Sequence, residues 1–249
     1  MTCVRSRPRT DSGRLAFRSP RGRATLVSPL AVFVMFTVLN LRGRGDASFL
    51  TSGGGLGMAA FSTFASLLAL LPLAMNQFAI DRAGLTLTML APVETMTLLR
   101  GKALGNACIA LIPGSICFIA AVLLFPGGDP ALWMCVPLSA VGAYVFAAPI
   151  AAILSALFPR PVDLNSIGRG SNAHGAAGLL GMLTLLAAAA PGALLTILTR
   201  SVLDRPNLAP IAVTIWIAVA AVLSVLLFKI ACGVFERRRE NLLLTSQRS

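Results

Sequence analysis

The residues that most often carry chemistry are few in this sequence, and they stand apart from one another. The 249-residue chain has one histidine, His174, and five cysteines, and no two cysteines form a CxxC pair. Because metal sites and disulfide frameworks need such ligands at characteristic spacings, we expect neither. The nine acidic residues are spread singly apart from Glu236 and Glu240. An enzyme that relies on clustered carboxylates, histidine or cysteine is therefore disfavoured.

A nucleotide-binding phosphate loop is also missing from the sequence. Its consensus, G-x-x-x-x-G-K-[ST], surrounds phosphate groups with backbone N–H donors and a lysine. The pair Gly101-Lys102 is followed by Ala103 and lacks the upstream glycine. We therefore expect that the chain does not hydrolyse ATP itself, that it is not an enzyme, and that it binds no cofactor or metal of its own.

The composition indicates a protein that lies partly in lipid. Hydrophobic residues make up 56% of the chain and charged residues 12%, whereas ordinary soluble domains are about a quarter charged. A water-soluble fold of this length could not bury so much apolar surface. The net charge is +12, but the charges are confined to the ends and short loops. We expect no nucleic-acid partner and interpret the arginines as topology signals that also attract membrane lipid.

Six apolar tracts each approach the roughly 20 residues that a helix needs to span a bilayer. The predicted fold class is all-α, a polytopic integral membrane protein with about six transmembrane helices. Pro149 and Pro191 predict kinks in two tracts, or a re-entrant turn near Pro191. A basic tail (1–24) precedes the transmembrane domain (25–235), and a second basic tail (236–249) follows it. The predicted spans cover residues 25–41, 54–78, 103–125, 131–158, 176–199 and 210–233.

The lysines and arginines predict which way the chain is oriented. If all six tracts cross, four basic residues lie on one side, namely Arg42, Arg44, Arg200 and Arg205, and the other 17 of the 21 lie opposite. Cytoplasmic loops of membrane proteins are enriched in these residues. Both the N-terminus and the C-terminus are therefore predicted to be cytoplasmic.

A half-polar stretch, DRAGLTLTMLAPVETMTLLRGK, separates the second tract from the third. Its first half begins with the charged pair Asp81-Arg82. Leu85, Met89 and Leu90 can then share one face of a short helix. We predict a small amphipathic helix that lies outside the bilayer, on the cytoplasmic side.

The second half of this stretch predicts the start of another helix. Proline is favoured at a first helical position, and an acid near a helix start meets the helix dipole favourably, which suits Pro92 and Glu94. Arg100 and Lys102 mark the water line, with their stems along the apolar surface. The chain should therefore pass through a proline elbow into a helix that enters the third span.

The wider stretch NQFAIDRAGLTLTMLAPVETMTLLRGK (Asn76–Lys102) resembles the cytoplasmic loop of type-2 ATP-binding-cassette (ABC) export permeases. Two other stretches, Ala156–Gly181 and Val234–Leu244, look like one branch of that family. The resemblance covers roughly residues 15–245 and is weaker outside the first loop. The stretch Asp11–Leu26, where the family often has an amphipathic helix, is basic and only weakly amphipathic. Such a departure suits the C-terminal part of a longer permease, or a different gene start. The matching positions in the loop are Asp81, Arg82, Gly84, Leu85, Leu90, Pro92, Val93, Gly101 and Lys102.

The resemblance implies that the cytoplasmic stretch is a coupling helix, which rests in a groove of a separate ABC ATPase subunit. That ATPase would bind ATP and Mg²⁺, and a second permease subunit, identical or similar, would complete the pathway. The implied location is the bacterial cytoplasmic (inner) membrane. The implied coupling residues are Asp81, Arg82, Gly84, Leu85, Met89, Leu90, Pro92, Val93 and Glu94.

Two other classes of function remain open from the sequence. A secondary or facilitated transporter would need a polar, gradient-sensing group within its spans, and the tracts hold no carboxylate at a bilayer midplane. A membrane scaffold that transports nothing has no distinguishing motif. Co-purification with an ATPase separates both classes from an exporter subunit.

Overall fold

The computed structural model describes residues 20–41, 54–78, 90, 92–159 and 174–242. Across these ranges the chain is helical and contains no β-strand. A π-helical turn, Leu198–Val202, follows the fifth long helix, and a 3₁₀ turn, Pro206–Leu208, precedes the sixth. The long helices are α1 (Pro20–Leu41), α2 (Gly54–Ala74), α3 (Thr95–Leu124), α4 (Pro130–Leu157), α5 (Gly175–Ile197) and α6 (Ala209–Arg237).

Five helical stretches are long and apolar enough to cross a membrane: α2, α3, α4, α5 with its π turn, and α6 with its 3₁₀ turn. A backbone in lipid must satisfy its own hydrogen bonds, which is why continuous apolar tracts fold as helices. The apolar part of α1, Arg23–Val38, is shorter. The architecture agrees with the predicted all-helical, polytopic membrane protein.

Local sequence signals account for several helix boundaries. The Asp129 side chain accepts a hydrogen bond from the backbone N–H of Ala131 at 2.9 Å, and Pro130 occupies the first position of α4. This is a favoured arrangement for starting a helix. The turn before Asp129 needs glycine, because Gly127 and Gly128 adopt φ angles of 131° and 84°.

The structure decides between the two alternatives at Pro191 and differs from the sequence prediction at Pro92. α5 continues through Pro191 as a helix, without the re-entrant turn considered for that position. It packs closely on α4 there, since a Cβ atom added to Gly192 would lie 2.7 Å from the Ser139 hydroxyl oxygen. Pro92 lies before α3 rather than at its first position, and Glu94 is the N-cap residue.

The helices alternate in direction and gather around α4, which packs against α2, α3, α5 and α6. Small residues let neighbouring helices approach closely. Gly142, for example, lies directly beneath Trp216 of α6. α1 runs antiparallel to α2, because Leu26 packs on the cluster that includes Leu67, while Phe36 contacts Phe61. A stripe of small buried residues on α4 faces this cluster, comprising Ala140, Ala143, Ala147 and Ala151.

The two ends of the bundle are named here by their charge and position. The basic end is where α2, α4 and α6 finish and α3 and α5 begin. It carries Arg100, Lys102, Arg237, Arg238 and Arg239. The opposite end is where α2, α4 and α6 begin and α3 and α5 finish, and Arg200 and Arg205 lie there.

Candidate functional site

The predicted coupling residues fall partly within the described chain, at the basic end. Leu90 and Val93 are exposed apolar side chains, with 76% and 50% of their surface accessible. Pro92 and Glu94 are also exposed. The other predicted coupling residues lie outside the described ranges, namely Asp81, Arg82, Gly84, Leu85 and Met89.

Residues 76–78, which lie between the end of α2 and the predicted coupling residues, are held in place by several contacts. Asn76, Gln77 and Phe78 are buried there. The Lys102 Nζ donates a hydrogen bond to the Gln77 carbonyl at 3.2 Å, and the Asn106 Nδ2 donates to the Gln77 Oε1 at 3.2 Å. Both donors belong to α3, so these bonds join the chain before the segment to the helix after it.

Phe78 connects the same point to two further helices. Its backbone N–H donates to the Ser155 hydroxyl of α4 at 3.3 Å. Its ring lies 4.9 Å from the ring of Phe235 on α6, measured between centroids. The Lys102 Nζ lies 5.6 Å from the Phe78 ring centroid, within reach of a cation–π interaction.

The chain that leaves the segment is also anchored. The Thr95 hydroxyl donates to the Glu236 Oε1 of α6 at 3.2 Å. Leu99 is buried in the same apolar cluster as Phe78 and Phe235. Leu242, beyond the end of α6, is buried in that cluster as well. The start of α3 is therefore packed against the end of α6.

These contacts make a junction of four helices at the basic end. We call it the basic-end junction and define it by Gln77, Phe78, Lys102, Ser155 and Phe235. Gln77 and Phe78 therefore cannot shift far without disturbing their contacts with α3, α4 and α6. Packed interfaces change between discrete arrangements rather than deforming continuously, so a displacement of Gln77 or Phe78 would reach these helices.

The sequence reasoning missed several members of this junction. It interpreted Lys102 as a water-line residue and assigned no role to Gln77, to Ser155 or to Asn106, the partner of Gln77. A signal was present, because Asn76-Gln77 ends an apolar tract and Asn106 lies inside another. Amide side chains near lipid need hydrogen-bond partners, which makes them markers of contacts between helices.

The single histidine, His174, lies at the start of α5, and Cys232 of α6 packs against the apolar cluster that contains Phe78. The His174 Nδ1 accepts a hydrogen bond from the backbone N–H of Ala176 at 3.3 Å, and its ring stacks on Phe158. His174 thus caps α5 and ties it to the end of α4. In the parts of the chain that the structure describes, no three His, Cys, Asp or Glu residues come together as a metal site would require.

Comparisons with known proteins give no relative. No protein-family profile, curated protein or solved structure matches this chain.

Proposed function

We propose that this chain is the membrane-spanning permease subunit of an ATP-driven ABC exporter. The observation that supports the proposal is the basic-end junction. It ties Gln77 and Phe78, which precede residues 79–91, to α3, α4 and α6, while Leu90 is exposed. An element that transmits movement from a partner to the membrane helices needs both a firm link to those helices and an exposed surface for the partner.

In the proposed mechanism the segment docks in a groove of a soluble ABC ATPase. Leu85, Met89 and Leu90 insert as apolar anchors, which is how short amphipathic helices bind grooves. Asp81, Arg82, Gly84, Pro92, Val93 and Glu94 shape and flank the contact. ATP and Mg²⁺ are bound by the ATPase, and its movement reaches α2 and α3 through the segment.

The charge distribution supports a cytoplasmic location for the segment. Arg100, Lys102 and Arg237 lie at the basic end. The cytoplasmic surfaces of membrane proteins are the ones enriched in lysine and arginine. In the proposed topology α1 is a sixth span and both termini are cytoplasmic. A second permease subunit, identical or similar, completes the pathway in a bacterial cytoplasmic membrane.

The proposal is tested by co-purification from gently solubilised native membranes. The natural chain should bring down a soluble ATPase with Walker motifs. The double variant Leu85→Asp/Leu90→Asp should lose it, because each buried aspartate would cost several kcal/mol in an apolar groove. Thr97→Asp is the matched control, since Thr97 is exposed one turn into α3 and an acid is tolerated near a helix start.

Two results would contradict the proposal. Absence of any ATPase from the natural, folded chain favours a secondary or facilitated transporter, or a scaffold. Equal recovery of the ATPase with the natural chain and the double variant would show that it binds elsewhere, and would remove the coupling role of the segment.

A further inference from the structure

A crevice of about 800 Å³ opens at the end of the bundle opposite the basic end. It lies where α2 begins, α3 ends, α4 begins and the π turn follows α5. Its volume falls in the range of small-molecule sites, about 300–1,000 Å³. Polar and apolar groups share its lining, which includes Gly55, Leu124, Asp129, Trp133, Arg200 and Asp204.

One wall of the crevice is built as a fixed aromatic surface. The Trp133 indole Nε1 donates a hydrogen bond to the Gly127 carbonyl at 2.8 Å. Its ring meets Phe118 edge-on, with centroids 5.9 Å apart. Gly55 allows close approach, because an added Cβ atom would lie 3.2 Å from the Trp133 ring and 2.4 Å from the Phe125 Cβ. The tryptophan is therefore held in place before any ligand arrives.

The charged groups of the crevice have both signs. Arg200 is exposed and comes from the π-helical turn, a backbone irregularity that is frequent at functional sites. Asp204 adopts a left-handed φ of 49°, a conformation uncommon outside glycine. Among the described residues, neither of them forms an ion pair with the other or with Asp129. The Arg200 guanidinium and the Asp204 carboxylate are thus open to an external partner. One Asp129 oxygen accepts the hydrogen bond from Ala131, which leaves its second oxygen for a ligand.

We propose that this crevice binds the headgroup of a zwitterionic phospholipid. Arginine pairs with a phosphate through two parallel hydrogen bonds, so Arg200 contacts the phosphate. The carboxylates of Asp204 and Asp129 contact the ammonium group. Tryptophan is enriched at the membrane–water interface, which suits the place of Trp133 at the rim. Because the crevice lies at the opposite end of the bundle from the basic-end junction, this binding role does not depend on the exporter assignment.

A lipid fits better than a soluble zwitterion because the crevice adjoins the apolar outside of the bundle. Leu124 lines the crevice, and the preceding turns of α3 expose Ile116, Ile119 and Leu123. An acyl chain can follow this surface toward the middle of the bilayer while the headgroup stays in the crevice. A soluble molecule of the same charge would gain nothing from that surface.

Tryptophan fluorescence tests the proposal, because the chain has only two tryptophans. The variant Trp216→Phe keeps Trp133 as the sole reporter, at the crevice. The purified full-length variant in a non-ionic maltoside is titrated with dihexanoyl phosphatidylethanolamine. Parallel titrations use dihexanoyl phosphatidylglycerol, which lacks the ammonium, and O-phosphoethanolamine, which lacks the acyl chains. We expect a saturable change with the first lipid and binding about tenfold weaker for the other two.

Variants of the charged residues then assign the contacts. Arg200→Gln should weaken phosphatidylethanolamine binding about tenfold, since a charge-assisted hydrogen bond is lost. Arg200→Lys keeps the positive charge but cannot form two parallel hydrogen bonds. Its affinity for phosphatidylethanolamine should lie between that of the natural chain and that of Arg200→Gln. Asp204→Asn should weaken phosphatidylethanolamine and leave phosphatidylglycerol unchanged or tighter. Arg205→Gln is the matched control, because Arg205 is exposed in the same connection and does not line the crevice.

Three outcomes would overturn the proposal. The first is a fluorescence response to phosphatidylethanolamine that does not saturate. The second is equal binding by the Arg200→Gln and Arg205→Gln variants, with each variant shown to be folded by its elution profile and helical circular dichroism. The third is equal affinity for O-phosphoethanolamine and the lipid, which would assign the crevice to a soluble zwitterion.

Discussion

At the basic end the helix termini are joined by hydrogen bonds and ring contacts, whereas at the opposite end they diverge around a crevice. Lys102, Gln77 and Ser155 satisfy one another or nearby backbone groups in the basic-end junction. At the other end, Arg200 and Asp204 form no ion pair with each other. Polar groups placed in a low-dielectric protein are costly when unpaired, so their pairing marks a structural role. Their exposure without a protein partner suits a role in binding.

The contrast suggests a division of work along one bundle. In the two proposals, the basic-end junction passes displacement into the helices and the crevice at the opposite end binds a ligand. Three substitutions test whether the two ends differ in this way, and each is paired with a variant that should change little. The measurement in every case is the midpoint of thermal unfolding of the chain in detergent, monitored by circular dichroism.

The largest loss of stability should come from Phe78→Ala. Phe78 is completely buried, and its ring contacts Phe235 and Lys102. Removing a buried phenylalanine leaves a cavity and costs about 3 kcal/mol. The control is Leu123→Ala, whose side chain is exposed on α3 and should change the unfolding free energy by less than about 0.5 kcal/mol. Similar midpoints for the two variants would show that the junction is not a tightly packed core.

A smaller loss should follow from Gly55→Ala at the opposite end. The new Cβ atom would lie 2.4 Å from the Phe125 Cβ and 3.1 Å from its carbonyl oxygen, so backbone must move. Overpacking of this kind costs about 2 kcal/mol. In the control, Gly178→Ala, the methyl group meets open space on α5 and should stabilise the helix by about 0.5 kcal/mol. An unchanged midpoint for Gly55→Ala would mean that α2 and the turn at Phe125 do not pack as closely as described.

The success of the sequence prediction follows from the chemistry of lipid. Long apolar tracts have to be helical in a bilayer, and the tract predicted at 131–158 corresponds to the helix Pro130–Leu157. The sequence predicts that residues 95–100 form a helix that enters the third span, and α3 is continuous from Thr95 to Leu124. Hydrophobicity determined these elements, and it is encoded locally.

What the sequence left out depends on contacts between distant residues. Gln77 and Lys102 meet through the packing of α2 on α3, and Phe78 meets Ser155 at a separation of 77 residues. Periodicity in one tract says nothing about which neighbour its buried face will touch. The π turn at Leu198–Val202 has no local signal either, so the crevice that it helps to line could not be predicted.

The smallest effect separates the two tryptophans. The Trp133 Nε1 has the Gly127 carbonyl as a partner, whereas the buried Trp216 Nε1 has no hydrogen-bond partner among the described residues. Tryptophan-to-phenylalanine substitution removes the same atoms at both positions. Trp133→Phe should therefore be less stable than Trp216→Phe by about 1 kcal/mol, the net value of one hydrogen bond. Identical midpoints, or the reverse order, would contradict a fixed aromatic wall at the crevice.

The most direct test of the central claim is the ATPase activity of the co-purified complex in lipid vesicles, with Lys102→Met compared with Lys229→Met. Both variants remove one positive charge at the basic end, but Lys229 is exposed and lies outside the junction. We predict that Lys102→Met keeps the ATPase bound and lowers its stimulation by the permease about fivefold, equivalent to one partly exposed charged hydrogen bond. Lys229→Met should match the natural chain. Full stimulation with Lys102→Met would contradict transmission through the basic-end junction.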